Sequence, residues 1–202
     1  MPYPPLFTLS CPLVLASGSP RRRQFLQEWG LPFTVDVPQG PEPRPMPGES
    51  PAAYALRAAR SKGAVTAARH PGALTLAADT VVTVDGDILG KPGSERDALS
   101  MLRRLAGRTH QVVTGVCLIL PDGTEQSFSD STDVTFAPWP HAMLAAYART
   151  GEPADKAGAY AIQGQGAFLV EHISGSWSTV VGLPITEIAR RLAAAGLLAP
   201  VA

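Results

Sequence analysis

Hydrophobic positions recur along this chain with two spacings, and each spacing predicts a secondary structure. Leu13-Val14-Leu15 and the stretch 73–84 are almost continuously apolar, which is typical of strands buried on both faces of a sheet. The stretch 51–69 has apolar residues at helical spacing, between the start signal Ser50-Pro51 and the stop signal His70-Pro71-Gly72. The other predicted elements are a helix from Pro20 to about Trp29-Gly30, a strand over 33–37, a helix over 94–106, a hairpin of 109–120 and 124–136, and helices over 141–150 and 184–195.

This order of elements predicts an α/β fold, with a mixed, mostly buried sheet flanked by helices. The chain has 202 residues, of which 45% are hydrophobic and 17% charged, so it can bury a sizeable core. Prolines crowd the stretch 38–48, which excludes a helix or a central strand there and predicts an extended loop. Because there is neither an internal repeat nor a clear boundary, we expect a single domain over residues 1–202.

Charge and cysteine content narrow the class of ligand. Lys and Arg together number 17 and are balanced by 17 Asp and Glu, so no overall field would hold a nucleic acid. Any polyanion site must be local and its ligand small.

Cys11 and Cys117 lack metal-ligand spacing and indicate reduced thiols. The first residues do not resemble a signal peptide, and no apolar run is long enough to span a membrane. We expect a cytoplasmic protein.

Three consecutive arginines break the expected pattern at the start of the first helix. Ser19 is a natural N-cap and Pro20 suits the first helical position, but Arg21, Arg22 and Arg23 occupy a turn that favours acids. Each cation there costs about 0.3–1 kcal/mol unless an anion is bound. Backbone N–H groups, a small-residue loop and guanidinium groups together form a phosphate site. A solvated basic turn is the alternative.

Asp79 is a lone carboxylate within an apolar strand, and it needs a cation, a metal or several donors. It is either part of a structural ion pair or a pocket acid that binds a metal or deprotonates water. Thr80 faces the opposite side of a regular strand, so both line one cleft only if the strand ends there. Lys62 lies on an apolar helical stripe, where it either extends to water or points into that cleft.

Three further residues are candidates on weaker signals. Lys91, between a glycine and a proline, is either a phosphate-binding cation on a fixed turn or an ordinary surface lysine. Glu42, the only acid in the proline loop, either completes a metal site with Asp79 or is solvated. Gln163 lies in the polar, glycine-rich stretch 152–164 and can offer a donor and an acceptor to a base edge.

Taken together, these residues resemble the Maf family of nucleoside-triphosphate pyrophosphatases, once named for an effect on septum formation. The matching motifs follow the family order from about residue 13 to about residue 190. They are Ser17-Gly18-Ser19-Pro20-Arg21-Arg22, Lys62, Ala78-Asp79-Thr80, Gly90-Lys91-Pro92, Thr109-His110 with Thr114-Gly115, Glu152-Pro153 through Gly164, and Val180-Val181-Gly182-Leu183-Pro184.

The resemblance implies a fold of the Maf and ITPase type, with two lobes around a deep nucleotide cleft, usually as a homodimer. It implies hydrolysis of nucleoside triphosphates between the α and β phosphates with a divalent cation, Mg²⁺ or Mn²⁺. Asp79 falls on the position of the proton acceptor and metal ligand, with Glu42 as a second metal ligand. The family's positions for binding the substrate phosphates correspond to Ser17, Arg22, Lys62 and Lys91. Its positions for base specificity correspond to Arg21, Thr80 and Gln163.

The specificity positions match the subgroup that acts on dTTP and UTP in house-cleaning nucleotide metabolism. Two alternatives stay open, namely a pyrophosphatase for other modified nucleotides such as 7-methyl-GTP, and a non-catalytic nucleotide-binding regulator of septum formation. Two departures from the family pattern matter. Pro41-Glu42 stands where an Asp-Glu pair is usual, and Gly63 replaces the alanine usual after the helix lysine. The glycine costs about 1 kcal/mol of helix propensity.

Overall fold

The apolar stretches form the strands of a mixed sheet in a computed structural model, which describes residues 4–40 and 43–201. The longest buried stretch, Leu74–Val84, is fully buried except at Asp79 and Thr80, which are partly exposed. Within the described ranges the strands are β1 (Phe7–Leu9), β2 (Leu13–Leu15), β3 (Thr34–Val35), β4 (Leu74–Val84), β5 (Asp87–Leu89), β6 (Thr109–Ile119), β7 (Glu125–Phe136), β8 (Val170–Ser174) and β9 (Leu198–Pro200).

The helices begin where caps and prolines predict. The Ser50 hydroxyl accepts a hydrogen bond from the Ala53 amide, and the Ser94 hydroxyl accepts one from the Asp97 amide. Ser19 occupies the N-cap position of the first helix, but its side chain makes no capping bond. The helices are α1 (Pro20–Glu28), α2 (Pro51–Arg69), α3 (Glu95–Leu105), α4 (His141–Ala148), α5 (Trp177–Val181) and α6 (Ile185–Ala194), and 3-10 turns cover Glu152–Asp155, Ala157–Ala159 and Gly164–Leu169.

The principal sheet has the strand order β3-β2-β4-β6-β7-β8, with β5 paired to β4. Strand β2 is parallel to both of its neighbours, and Leu15 lies opposite Val35 on one side and Leu76 on the other. The β4–β5 and β7–β8 pairs are antiparallel. A separate antiparallel pair joins β1 and β9, with Phe7 opposite Pro200. The predicted α/β fold with a mixed sheet is therefore confirmed.

Contacts between residues divide the chain into two compact units, each assembled from separate stretches. The first unit comprises the chain up to Asp79, Thr114–Ser129 and the chain from Gly182 onward, and the second comprises Thr80–Val113 and Asp130–Val181. The single domain over residues 1–202, and the two lobes around a nucleotide cleft, stay predictions.

In the first unit, small residues bring α2 close to the sheet. Ala16, Ala59, Ala77 and Cys117 form one cluster without exposed surface. Gly115 on β6 lies so near α2 that a Cβ atom added there would be 2.5 Å from the Ala55 carbonyl oxygen. Because a helix this near a strand has little room to move, the directions of its side chains are closely fixed.

In the second unit, the core is larger and partly aromatic. The His110 ring meets the rings of Phe136 and Tyr160 edge to face, with centroids 4.9 and 5.3 Å apart. His110 Nε2 lies 2.8 Å from the Tyr160 hydroxyl, whereas its buried Nδ1 has no hydrogen-bond partner among the described residues. Burial lowers the pKa of His110 to about 4, so the ring is neutral at pH 7. Fully buried aliphatic residues of this core include Leu102, Leu105 and Leu169.

The differences from the predicted elements are local. The strand expected over 33–37 is reduced to Thr34–Val35, and both Val35 and Val37 are exposed. Strand β4 continues through Asp79 and Thr80 instead of ending there. Both cysteines are free thiols. None of the helices in residues 4–40 and 43–201 is long and apolar enough to cross a membrane.

Candidate active site

The loop between β2 and α1 holds one of the three arginines in a fixed position. Arg22 is 9% exposed, and its Nη1 donates to the Ser17 hydroxyl at 3.0 Å while its Nε donates to the Gly182 carbonyl at 2.7 Å. The Ser17 hydroxyl also accepts a bond from the Ser19 amide at 3.2 Å. Ser17, rather than the predicted cap Ser19, therefore organises this turn. The Ser17 hydroxyl and the Gly182 carbonyl are uncharged, so these two acceptors orient the guanidinium group without neutralising it.

Lys62 and Asp79 form an ion pair within the first unit. Lys62 Nζ lies 2.6 Å from Asp79 Oδ1, and the two side chains are 19% and 14% exposed. Helix α2 directs Lys62 toward the sheet because the residues one turn earlier on the same face, Ala58 and Ala59, are buried. The ion pair that was the structural alternative for Asp79 is present. It does not exclude a catalytic role, because the pair lies at the one part of β4 that is open to solvent.

Register places this ion pair and the arginine loop at the same end of β2. Leu15 is paired with Leu76 in parallel strands, and the Ala16 amide donates to the Leu76 carbonyl at 2.8 Å. The Ser17 to Arg22 loop leaves β2 just beyond this point, and Asp79 follows Leu76 by three residues. In α/β sheets, ligands bind at the carboxyl ends of such strands. Within the first unit, Asp79 and its partner Lys62 therefore lie beyond the carboxyl end of β2, where the loop that leads to Arg22 begins.

Three of the predicted residues lie in the second unit. Thr80 is partly exposed and adjoins Asp79 along β4, Lys91 is exposed after β5, and Gln163 is half-buried. The turn before Lys91 is tied to the 152–164 stretch, because the Gly158 amide donates to the Gly90 carbonyl at 3.1 Å. Arg21, in the first unit, is half-buried in the first turn of α1.

The donor set for a metal is small. Among the described residues, no group of three or more His, Cys, Asp or Glu side chains can hold a metal ion. Glu42, the second predicted ligand, lies outside the described residues. Mg²⁺ needs no such cluster, since it is commonly held by one or two carboxylates together with substrate phosphates and water. Asp79 supplies one carboxylate for that arrangement, and its chemistry fits a cation of this kind.

Two sets of hydrogen bonds, one in each unit, have backbone partners that the sequence does not reveal. The Gly182 carbonyl that holds Arg22 is a backbone atom 160 residues away along the chain. The Glu152 carboxylate accepts hydrogen bonds from the Gln165 and Gly166 amides at 3.1 and 2.8 Å. Glu152 falls within a recognisable motif, but a backbone amide partner has no side chain by which the sequence could reveal it.

Comparison with known proteins identifies the family. A family model described as Maf-like protein matches residues 12–195. A dTTP/UTP pyrophosphatase of Nitratidesulfovibrio vulgaris is 55% identical over 192 residues, which cover 95% of this chain and 91% of that protein. A protein of the same name from Oleidesulfovibrio alaskensis is 53% identical over 196 residues, which cover 96% of this chain and 90% of that protein. Another from Myxococcus xanthus is 50% identical over 188 residues, which cover 93% of this chain and 94% of that protein. These matches confirm the resemblance carried by the motifs, and this chain belongs to the family of Maf-like proteins.

Proposed function

We propose that this protein is a nucleoside-triphosphate pyrophosphatase that hydrolyses dTTP and UTP to the nucleoside monophosphate and pyrophosphate. Relatives of 50–55% identity that carry this activity in their names support the reaction and the substrates. The observation that carries the proposal is the Lys62–Asp79 pair at the solvent-open part of an otherwise buried strand. A binding module needs cations for phosphates, whereas a carboxylate among them repels phosphate. A carboxylate at the solvent-open part of the strand therefore favours a proton acceptor or a metal ligand over a binding module.

The residues of the first unit divide the work of hydrolysis. Asp79 accepts the proton of a water molecule whose oxygen attacks the α-phosphorus, and the bond from that phosphorus to the bridging oxygen of pyrophosphate breaks. Arg22 is already oriented by Ser17 and Gly182, so it can stabilise charge on the phosphates without reorganising. A divalent cation held by Asp79 and the phosphates would supply further positive charge.

Lys62 can serve both the free and the bound state. In the free protein its ammonium group donates a hydrogen bond to Asp79 Oδ1 at 2.6 Å. Phosphate oxygens offer the ammonium group an alternative acceptor. Transfer of Lys62 to the phosphates would leave Asp79 Oδ1 accessible to a water molecule or a metal ion at the moment when substrate is present. We propose a role with phosphate for Lys91 and a role with the base for Arg21 and Gln163, and the homodimer and the cytoplasmic location stay predictions. The role of Thr80 beside Asp79 depended on β4 ending there, whereas β4 continues to Val84.

The test is the release of pyrophosphate by purified protein with Mg²⁺ or Mn²⁺. Asp79→Asn keeps the size of the side chain but removes the base, and should lower kcat for dTTP and UTP by about 10²–10⁴-fold while leaving nucleotide binding largely intact. Asp87→Asn is the matched control, because that carboxylate is paired with Arg104 on an exposed surface. Turnover by Asp79→Asn close to that of the wild type would refute the assignment.

A panel of substrates separates the alternatives. Preference for 7-methyl-GTP over dTTP, UTP and CTP would overturn the pyrimidine assignment but not the reaction. Nucleotide binding without pyrophosphate release under any metal condition would favour a non-catalytic regulator.

A further inference from the structure

The stretch from Gly151 to Gly166, which we name the 151–166 segment, is closed into a loop by one carboxylate. Glu152 lies near its start, and the two oxygens of this side chain accept hydrogen bonds from the Gln165 and Gly166 amides near its end. The donors are two successive backbone N–H groups, so the carboxylate spans the chain reversal with charge-assisted bonds. Closure of this kind fixes both ends of the segment relative to each other.

The carboxylate of Glu152 is not engaged by the neighbouring lysine. Lys156 Nζ donates to the Glu152 backbone carbonyl and to Asp155 Oδ1, both at 2.6 Å. The lysine thus stabilises the first turn of the segment, whereas the Glu152 side chain reaches across to the far end. The two contacts act on different parts of the loop.

A second set of contacts fixes the middle of the segment. The Ala161 amide donates to the Tyr147 hydroxyl at 3.2 Å, and the Tyr160 hydroxyl is bonded to His110 Nε2 at 2.8 Å. Tyr147, Tyr160 and His110 are all 5% exposed or less. Buried hydrogen bonds of this kind resist displacement, because water cannot readily replace the lost partner.

Gln163 lies between these two sets of contacts. It is two residues beyond Ala161 and two residues before Gln165, so the backbone on each side of it is held by a side chain from elsewhere in the unit. Gly164, the next residue, has a φ of +72°, and a Cβ atom added there would collide with Glu152 Oε1. The glycine therefore permits both the left-handed backbone and the close approach of the carboxylate.

The need for such fixation follows from the chemistry of an amide side chain. A glutamine presents a donor and an acceptor, and rotation of its amide group by half a turn exchanges them. A freely rotating glutamine can therefore pair with uracil or with cytosine, whose edges have the opposite order of donors and acceptors. Discrimination between the two bases requires that backbone and amide be held in one orientation.

We propose that Glu152 is a positioning residue for base recognition, which closes the 151–166 segment and thereby holds the backbone at Gln163 in the conformation from which its side chain selects uracil and thymine over cytosine. This proposal rests on the function proposed above, in which Gln163 faces the base. Glu152 contacts neither the phosphates nor the reacting atoms in this scheme. Its effect is on selectivity rather than on the chemical step.

The test compares kcat/KM for UTP and CTP in Glu152→Gln. The amide keeps the size of the side chain, but its nitrogen cannot accept a hydrogen bond, so one of the two backbone amides loses its partner. We expect the UTP to CTP ratio to fall by about tenfold or more, through a higher KM for UTP and improved use of CTP. General destabilisation lowers both activities together and leaves the ratio unchanged.

Two further variants make the test independent of folding in the first. In Gly164→Ala the added methyl group would collide with Glu152 Oε1 and displace the carboxylate. The UTP to CTP ratio should therefore fall as it does in Glu152→Gln. Gln165→Ala removes an exposed side chain but keeps the backbone N–H that Glu152 binds, so its ratio should equal that of the wild type. If Glu152→Gln fails to fold, Gly164→Ala decides by the same criterion.

The outcomes separate this proposal from the proposed function. A wild type that releases no pyrophosphate from UTP or dTTP overturns the function, and this inference with it. A wild type that selects UTP, a Gln163→Ala variant that loses the selection, and unchanged ratios in Glu152→Gln and Gly164→Ala would overturn the positioning role alone.

Discussion

Gly63 allows helix α2 to lie against Cys117 of strand β6 in the first unit. A Cβ atom built on Gly63 would be 3.1 Å from Cys117 Sγ, and 3.5 Å from the Ala77 Cβ. Ordinary van der Waals contact for an added Cβ atom begins at 3.4 Å. Cys117 has no exposed surface and cannot yield toward solvent. A methyl group at this position would therefore crowd the sulfur atom, and we expect Gly63→Ala to be unfavourable unless Cys117 is changed as well.

The expected magnitude is a balance of two terms. Replacing a glycine inside a helix by alanine stabilises the folded state by about 1 kcal/mol. Overpacking a filled core costs about 1–3 kcal/mol, because the neighbour must move by a few tenths of an ångström. Gly63→Ala should accordingly lower the free energy of unfolding by up to about 2 kcal/mol. Cys117→Ala alone should cost about 1–2 kcal/mol for the lost sulfur.

The double variant measures the contact itself. With the sulfur removed, the methyl group introduced by Gly63→Ala occupies part of the vacated space. The two substitutions together should therefore be more stable than the sum of their separate effects by about 1 kcal/mol. Since Lys62 precedes Gly63 on the same helix, a displaced α2 also moves the ammonium group relative to Asp79. Activity should fall in Gly63→Ala and recover in the double variant.

Urea unfolding of the wild type, the two single variants and the double variant gives the four free energies of unfolding. They can be compared directly if all four fall with urea concentration at the same slope. Ala64→Gly, an exposed position one residue further along α2, supplies the cost of glycine in this helix without any packing contribution, and should be about 1 kcal/mol less stable than the wild type. Two results together would refute the reasoning. Gly63→Ala would raise the free energy of unfolding by the full helix-propensity difference of about 1 kcal/mol, and its effect would be additive with that of Cys117→Ala.

Two further predictions concern the second unit and the contact of β6 with α2. Because burial lowers the pKa of His110 to about 4, below its ordinary 6.5, its contribution to stability is complete above pH 6.5 and declines as the pH falls toward 4. At pH 5 the free energy of unfolding, measured with urea, should be about 2 kcal/mol lower than above pH 6.5, and His110→Gln should not show this decrease. An equal decrease in both proteins would show that His110 is not the group that titrates. Gly115→Ala places a methyl group 2.5 Å from the Ala55 carbonyl oxygen and should lower the free energy of unfolding by about 3 kcal/mol or more, whereas Gly90→Ala, with nothing within 4 Å of the new Cβ, should change it by less than about 0.5 kcal/mol. Equal stabilities of these two glycine variants would show that the backbones can separate without cost.

The helices are predictable from the sequence because their boundaries are local. Helix α2 begins at Pro51 and ends at Arg69, as the Ser50-Pro51 and His70-Pro71-Gly72 signals predict. The side chains of the candidate site are also predictable one by one, since charged residues at buried or dipole-opposed positions need a partner. The Lys62–Asp79 pair is such a case, as each residue interrupts an apolar pattern in its own element.

Pairings distant along the chain are not predictable in this way. Strands β1 and β9 pair residues from opposite ends of the chain, and neither strand is long enough to have an alternating pattern. Strand β5 has three residues and gives no signal beyond the Asp85-Gly86 turn. The partners of Glu152 and one partner of Arg22 are backbone groups, which every residue has, so residue type alone does not distinguish them.

Neutral hydrogen-bond acceptors orient one arginine in the first turn of α1, and this adds to the interpretation of the unusual charge there. From the helix dipole alone, an arginine in the first turn of α1 is unfavourable until phosphate neutralises it. Arg22 donates to two neutral acceptors, the Ser17 hydroxyl and the Gly182 carbonyl, and these two groups do not themselves neutralise its charge. The guanidinium group is thus oriented before substrate arrives. Because a preorganised charge need not be reoriented during the reaction, more of its interaction energy is available to the leaving pyrophosphate than a solvated arginine would provide.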